Sequence, residues 1–141
     1  MAFGSVVLTP GSAYVVPGAL DLSGEAFSAD EWTARTALAI AAASPITPLL
    51  LVLSGADAAR APHLGFAQRS ARRAIGGYVL VNPTLPQPGA VSDWPDAPVT
   101  VVITPEADAD SRTAALGARL RGWEIMEGDA STLICDIALR P

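Results

Sequence analysis

Residues Leu49 to Leu53 read Leu-Leu-Leu-Val-Leu, five apolar side chains with no polar break. A strand with one wet face alternates apolar and polar residues, so an unbroken run requires cover on both faces. A central strand of a parallel sheet, with helices packed above and below it, meets that requirement. The longest apolar run, Pro48 to Leu53, is far too short to span a bilayer.

The flanking sequence supplies the other parts of such a sheet. Val6-Val7-Leu8 is a β-rich run closed by a Pro10-Gly11 turn, and Tyr14-Val15-Val16 is a candidate second extended piece. Ser28 followed by Glu31 reads as a capping box opening a helix to about Ala43, with Trp32, Leu38 and Ala39 on one face. A second helix is expected over about Ala59 to Ala74, with Pro62 tolerated in its first turn and Gly76-Gly77 stopping it. Tyr78 to Val81 and Val99 to Ile103 are the next strands. Asn82 to Pro98 holds five prolines and reads as a loop over one end of the sheet. Asp108 or Asp110 caps a third helix that runs to Arg121, with Gly122 past its end, and Trp123 to Met126 is a further strand. In the tail, alternation of Leu133, Cys135, Ile137 and Leu139 favours a strand over a short helix.

Alternating strands and helices predict an α/β fold: a three-layer sandwich around a small, mainly parallel sheet. With 141 residues and no linker or repeat, a single domain over residues 1–141 is expected. The residues are 50% hydrophobic and 16% charged, and all nine basic residues are arginines. Arg69, Arg72 and Arg73 form the one basic cluster, read as a solvated helix face. A net charge of −5 without a basic run argues against nucleic acid as a partner. The N-terminal residues carry no leader pattern and no span reaches membrane length, so no membrane partner is expected and the cytoplasm is the default compartment. The lysine-free, Ala/Arg/Pro/Gly-rich composition suits a GC-rich coding genome of the actinobacterial kind. One cysteine and one histidine cannot build a structural zinc site or an internal disulfide, and Cys135 reads as a buried, inert thiol. No cofactor is expected, since no glycine-rich phosphate loop follows a strand.

The stretch Pro48 to Ala56, a helix, and then Ile75-Gly76-Gly77-Tyr78-Val79-Leu80-Val81-Asn82-Pro83 resembles the middle of α/β-hydrolases, where a buried strand ends at the nucleophile elbow G-x-S-x-G. Trp94 to Ile103 is similar to that family's penultimate strand, which precedes the catalytic acid. Arg121-Gly122-Trp123-Glu124-Ile125 is similar to the last strand, before the histidine loop. The resemblance covers about Pro48 to Asp129. It implies a reduced α/β-hydrolase-like topology without a lid, with fewer strands before the elbow. It also places Ser54 at the nucleophile, Glu106 or Asp108 near the acid, and Pro10-Gly11-Ser12 near the oxyanion-hole donors.

Three departures argue against ordinary hydrolysis. Val52 and Ala56 stand where the elbow has glycines, and a β-branched residue resists the strained backbone of that turn. Gly128-Asp129 stands where the family has Gly-His. His63 lies nine residues beyond Ser54 on the following helix, about 13 Å along its axis. Without an imidazole in reach, a serine has no base to take its proton.

Two classes of function remain open. In the first, the chain is a non-hydrolytic, hydrolase-like protein that binds a small molecule or a partner protein, as a homo-oligomer or a heteromeric subunit, with an accessory role in a bacterial biosynthetic pathway as one setting. In the second it is an atypical enzyme using the same pocket, either an esterase or thioesterase through Ser54 or a lyase or cyclase with Asp129 as acid–base group. Ser54 is thus a relic, a ligand contact or a nucleophile, and Asp129 a turn residue or a base. Glu106, Asp108 and Asp110 suggest a helix cap ahead of a metal site. In an open parallel sheet, ligands bind beyond the C-terminal ends of the strands. That edge gathers Gly11, Ser12, Ser54, Gly55, Asn82, Thr104, Glu106 and Asp129, flanked by Trp94.

Overall fold

The computed structural model describes residues 3–84 and 97–140. In chain order the elements are β1 (Ser5–Leu8), β2 (Leu20–Asp21), α1 (Trp32–Ala43), β3 (Leu49–Ser54), a 3-10 turn (Gly55–Arg60) leading into α2 (Ala61–Ser70), β4 (Ile75–Val81), β5 (Val99–Ile103), α3 (Ala109–Leu120), β6 (Glu124–Glu127) and α4 (Ala130–Ala138). The strands form one six-stranded sheet in the order β2-β1-β3-β4-β5-β6, and every pairing is parallel. The fold is therefore α/β, a small three-layer sandwich, as the alternation of elements predicts.

β3 sits between β1 and β4, and Leu49 to Leu53 are each at most 1% exposed. Its side chains feed two separate cores, as the period of two dictates. Leu49, Leu51 and Leu53 pack with Val7, Tyr78, Leu80 and Val101 under Trp32 and Ile40 of α1, Leu64 of α2 and Ala115 and Ala118 of α3. Leu50 and Val52 face the other way, with Val79, Val81 and Val102, under Ala130, Ile134 and Ile137 of α4. The two layers of cover are unequal. Three helices lie on the first face, whereas the second carries α4 and apolar side chains of the β1–β2 connection, Tyr14, Val16 and Ala19.

Several local expectations need correction. The tail is a helix, α4, and not a strand: Asp129 caps it by accepting from the Thr132 amide at 3.0 Å, and Ala130, Ile134 and Ile137 make its buried stripe. The alternation is a by-product of that stripe, and Leu139, assigned to the apolar side, is 80% exposed. Cys135 is half-buried, its thiol 3.8 Å from the Val15 carbonyl. Ser28 and Glu31 form no capping box; Ser28 begins a turn closed by the Glu31 amide, so the helix starts one turn later at Trp32. Glu31 is the residue before the helix and pairs with Arg35 at 2.6 Å. The buried face of α1 is Trp32, Thr36 and Ile40, and Leu38 is exposed.

The second helix is shorter than expected, Ala61–Ser70, because its first turn is wound as a 3-10 turn. Gly76 and Gly77 lie inside β4 and do not stop a helix. The Phe3 ring packs against this strand so closely that a Cβ on Gly76 would stand 2.8 Å from its Cε1. Tyr14 to Val16 is not a strand; the extended partner of β1 is Leu20–Asp21. Trp94 lies outside the described residues. Among the described residues, no helix is long and apolar enough to cross a membrane.

Candidate functional site

The chain runs from β1 out to β2 and then returns to β3 on the other side of β1, so the strand order reverses between β1 and β3. Connections leave such a reversal in opposite directions and open a crevice beyond the strand ends. Thr9-Pro10-Gly11-Ser12 turns tightly there, with the Ser12 amide bonded to the Thr9 carbonyl at 2.9 Å and proline and glycine at the corners. Ser54 is the last residue of β3.

These placements create a row of hydroxyls. The Thr9 hydroxyl donates to the Val52 carbonyl at 2.6 Å and stands 3.3 Å from the Ser12 hydroxyl. Ser12 is 2.9 Å from the Ser54 hydroxyl, which is 2.9 Å from the Tyr14 hydroxyl. Each hydroxyl owns one hydrogen, and the Thr9 hydrogen is committed to a carbonyl that can only accept. One direction alone satisfies every contact: Tyr14 donates to Ser54, Ser54 to Ser12, Ser12 to Thr9, and Thr9 to Val52. The phenol, the better acid of the set, stands at the donating end. Burial pushes the Tyr14 phenol above its ordinary pKa.

Ser54 has an ordinary extended backbone, φ −136° and ψ 147°. The left-handed residue at this strand-to-helix junction is the next one, Gly55, at φ +57°. The position that in an elbow turns a side chain outward thus carries none here. Gly55 also accepts the Thr84 amide at its carbonyl, 3.0 Å. His63, the only histidine of the chain, is exposed on α2. The Ser54 proton therefore leads inward along hydroxyls to a backbone carbonyl, which is not a base.

A cavity of about 270 Å³ opens beside this row, beyond the ends of β4 and β5. Tyr14, Asn82, Thr104, Glu106, Asp129 and Ser131 line it. Asn82 follows β4 in a left-handed conformation (φ 44°), which asparagine tolerates better than most residues. Its side-chain amide clamps Thr104 at the end of β5, donating to the hydroxyl at 2.7 Å and accepting the backbone amide at 2.9 Å. The Asn82 carbonyl is held in turn by the Ser111 hydroxyl of α3 at 3.0 Å. Asp129 accepts the Thr132 amide and, at 2.9 Å, the Thr132 hydroxyl, which hold its carboxyl below the usual range. The Ser131 hydroxyl fixes the Val15 amide at 2.9 Å, tying the loop that carries Tyr14 to α4.

The residues expected at the sheet edge thus divide. Ser12 and Ser54 join through hydrogen bonds, and Asn82, Thr104, Glu106 and Asp129 share one cavity. Gly11 lines a different one, of about 310 Å³, with Trp32, Asp57 and Arg60. Asp108 caps α3, accepting the Ser111 amide at 2.8 Å, and Asp110 sits in that helix's first turn. No group of three potential metal-ligating side chains occurs among the described residues. Tyr14, Thr9 and Ser131 were not singled out by sequence. The only signal for Tyr14 was a lone aromatic between the turns at Pro10 and Pro17, close behind the first strand.

No protein-family model, no curated protein and no solved structure matches this chain.

Proposed function

We propose that this chain is a non-hydrolytic protein of α/β-hydrolase-like design that binds a small molecule in the cavity between Tyr14, Asn82, Glu106 and Asp129. The carrying observation is the polarity of the hydroxyl row. A serine nucleophile must lose its proton to a base as it attacks. The Ser54 hydrogen faces Ser12, and the relay beyond it ends on the Val52 carbonyl. Asp129, at the position a hydrolase gives to histidine, uses one carboxyl oxygen as a helix cap.

A small ligand suits the surface better than a docked protein. The large apolar side chains that are strongly exposed, Val15, Leu38, Ile46, Phe66, Leu116, Leu120 and Leu139, come from six separate segments. Only Leu116 and Leu120 share a helix face. The cavity, by contrast, has polar walls fixed by hydrogen bonds before any ligand arrives, so binding orders few side chains.

The test is exposure of the folded protein to a fluorophosphonate probe, read by intact mass. No adduct on Ser54 is expected, with the Ser54→Ala variant as the reference. A stoichiometric adduct on Ser54 would overturn the reading and favour the esterase.

A further inference from the structure

α2 and α3 end in the same pair of backbone hydrogen bonds. In α3 the Gly122 amide donates to the Arg119 carbonyl at 3.0 Å, and the Trp123 amide to the Ala118 carbonyl at 3.1 Å. In α2 the Arg72 amide donates to the Arg69 carbonyl at 2.9 Å, and the Arg73 amide to the Gln68 carbonyl at 2.8 Å. This closure needs a left-handed residue just past the helix, a position that glycine takes at least cost. Gly122 stands there in α3 at φ 77°, but Arg72 stands there in α2 at φ 61°. A residue with a Cβ resists that conformation, and arginine lacks the short polar side chain with which asparagine bonds back to the backbone. Glycine would serve the turn better, so the reason for a guanidinium lies outside the turn.

The charge also exceeds what the helix end can use. A helix C-terminus carries about half a negative elementary charge, which one cation complements. Arg69, in the last turn of α2, supplies that cation without strain. Arg72 is exposed and Arg73 half-buried, and neither pairs with a carboxylate among the described residues. The sequence holds no aspartate or glutamate between Asp57 and Asp93, so no neighbour along the chain offsets the surplus. Three positions before Arg69, on the exposed face of the same helix, the Phe66 side chain is 67% exposed. We propose that this end of α2 docks an acidic segment of a partner protein, with carboxylates on Arg72 and Arg73 and an apolar side chain over Phe66. Guanidinium forks pair with carboxylates, and a short linear segment needs no broad apolar patch. A nucleic acid or an anionic membrane brings an extended field that the chain's net charge of −5 opposes. A short segment brings only its own few charges to this end. The site is separate from the cavity at the other edge of the sheet and does not rest on the small-molecule reading.

Amide chemical-shift titrations of the full chain at neutral pH test this, with the peptide Asp-Glu-Leu-Glu-Asp-Leu as probe and Asn-Gln-Leu-Gln-Asn-Leu as control. Saturable shifts at Phe66, Arg72 and Arg73 are expected with the acidic peptide alone, weakening as sodium chloride is raised. Arg72→Gly should weaken its binding severalfold and, by relieving the turn, raise the melting temperature by about 2 °C. Arg72→Gly/Arg73→Gln should weaken it about tenfold, and Phe66→Ala about threefold. Unchanged affinity in the double variant, equal binding of the control peptide, or no saturable shift with the acidic one would overturn the proposal. So would a lower melting temperature in Arg72→Gly, because the turn would then favour arginine for its own sake. Tighter binding of a duplex oligonucleotide or of phosphatidylglycerol vesicles at these amides would overturn the choice of partner.

Discussion

Gln68 is wholly buried on α2, and neither its amide oxygen nor its nitrogen meets a hydrogen-bond partner among the described residues. An amide taken out of water without replacement bonds costs about 1–3 kcal/mol. Methionine has a similar volume and helix propensity and no strong polar group to desolvate. Gln68→Met should therefore stabilise the fold by about 1 kcal/mol, raising the melting temperature by about 2–4 °C. A thermal melt checks this, and a fall would mean that the amide is held inside the core by something such as a bound water. At the residue scale the sequence also leaves the presentation of one side chain undecided. Ser54 is the one serine in an elbow-like phrase, so it attracts the role of nucleophile. Which residue takes the left-handed turn is a matter of backbone register, and it falls on Gly55. Composition and motif spacing do not encode a shift of one residue.

The elements divide by how locally they are determined. β3, β5, α1 and α3 were legible because each is specified by its own residues: an unbroken apolar run, a Pro-closed end, an aspartate cap with a glycine beyond the last turn. α4 was not, since the residues that alternate along it also recur at helical spacing, and only docking on Val52 and Val79 decides between the two patterns. The double glycine of β4 was misread for the same reason. Gly76 is there to admit Phe3, a contact from 73 positions away in the chain, whereas two adjacent glycines seen alone signal a stop. α3 affords a clean test of local specification. Asp108→Ala should cost about 1 kcal/mol by urea denaturation and speed exchange of the Ser111 amide, while Asp108→Asn should cost little. Ser111 also anchors the Asn82 carbonyl, so loss of this cap should register in the Asn82 and Thr104 amide shifts as well.

Among the described residues, four carboxyls titrate below their ordinary values. Glu124 does so mainly through its hydrogen bond from Arg140, Asp21 through bonds from Ser23, and Asp108 and Asp129 through bonds from the first turns of α3 and α4. A carboxyl whose folded pKa is depressed stabilises the fold at pH values above its unfolded pKa. That contribution disappears as the pH falls through the folded value. Stability should be level from pH 8 to 5 and decline below about pH 4.5. All four groups are solvent-exposed or nearly so, which keeps the slope shallow. The sequence isoelectric point is about 4.6, so electrostatic repulsion between molecules vanishes where this loss begins. Urea midpoints measured from pH 8 to 3, with light scattering alongside, should show falling stability and rising association setting in together. A midpoint that climbs on acidification would contradict the assignment.

The unequal cover of the sheet has a consequence for how binding and folding communicate. Among the described residues, the nine of α4 provide the only helix over the second face, and the same helix begins at the cavity wall with Asp129, Ala130 and Ser131. Undocking α4 would uncover Val52, Val79 and Val81 and remove one wall of the cavity in a single event, while the strand ladder stays paired. Such an opening is a sub-global excursion, and whatever fills the cavity draws down the population of the opened form in proportion to its affinity. The helix is then a thermodynamic reporter of occupancy, and the protein's own breathing sets the threshold at which a ligand is felt.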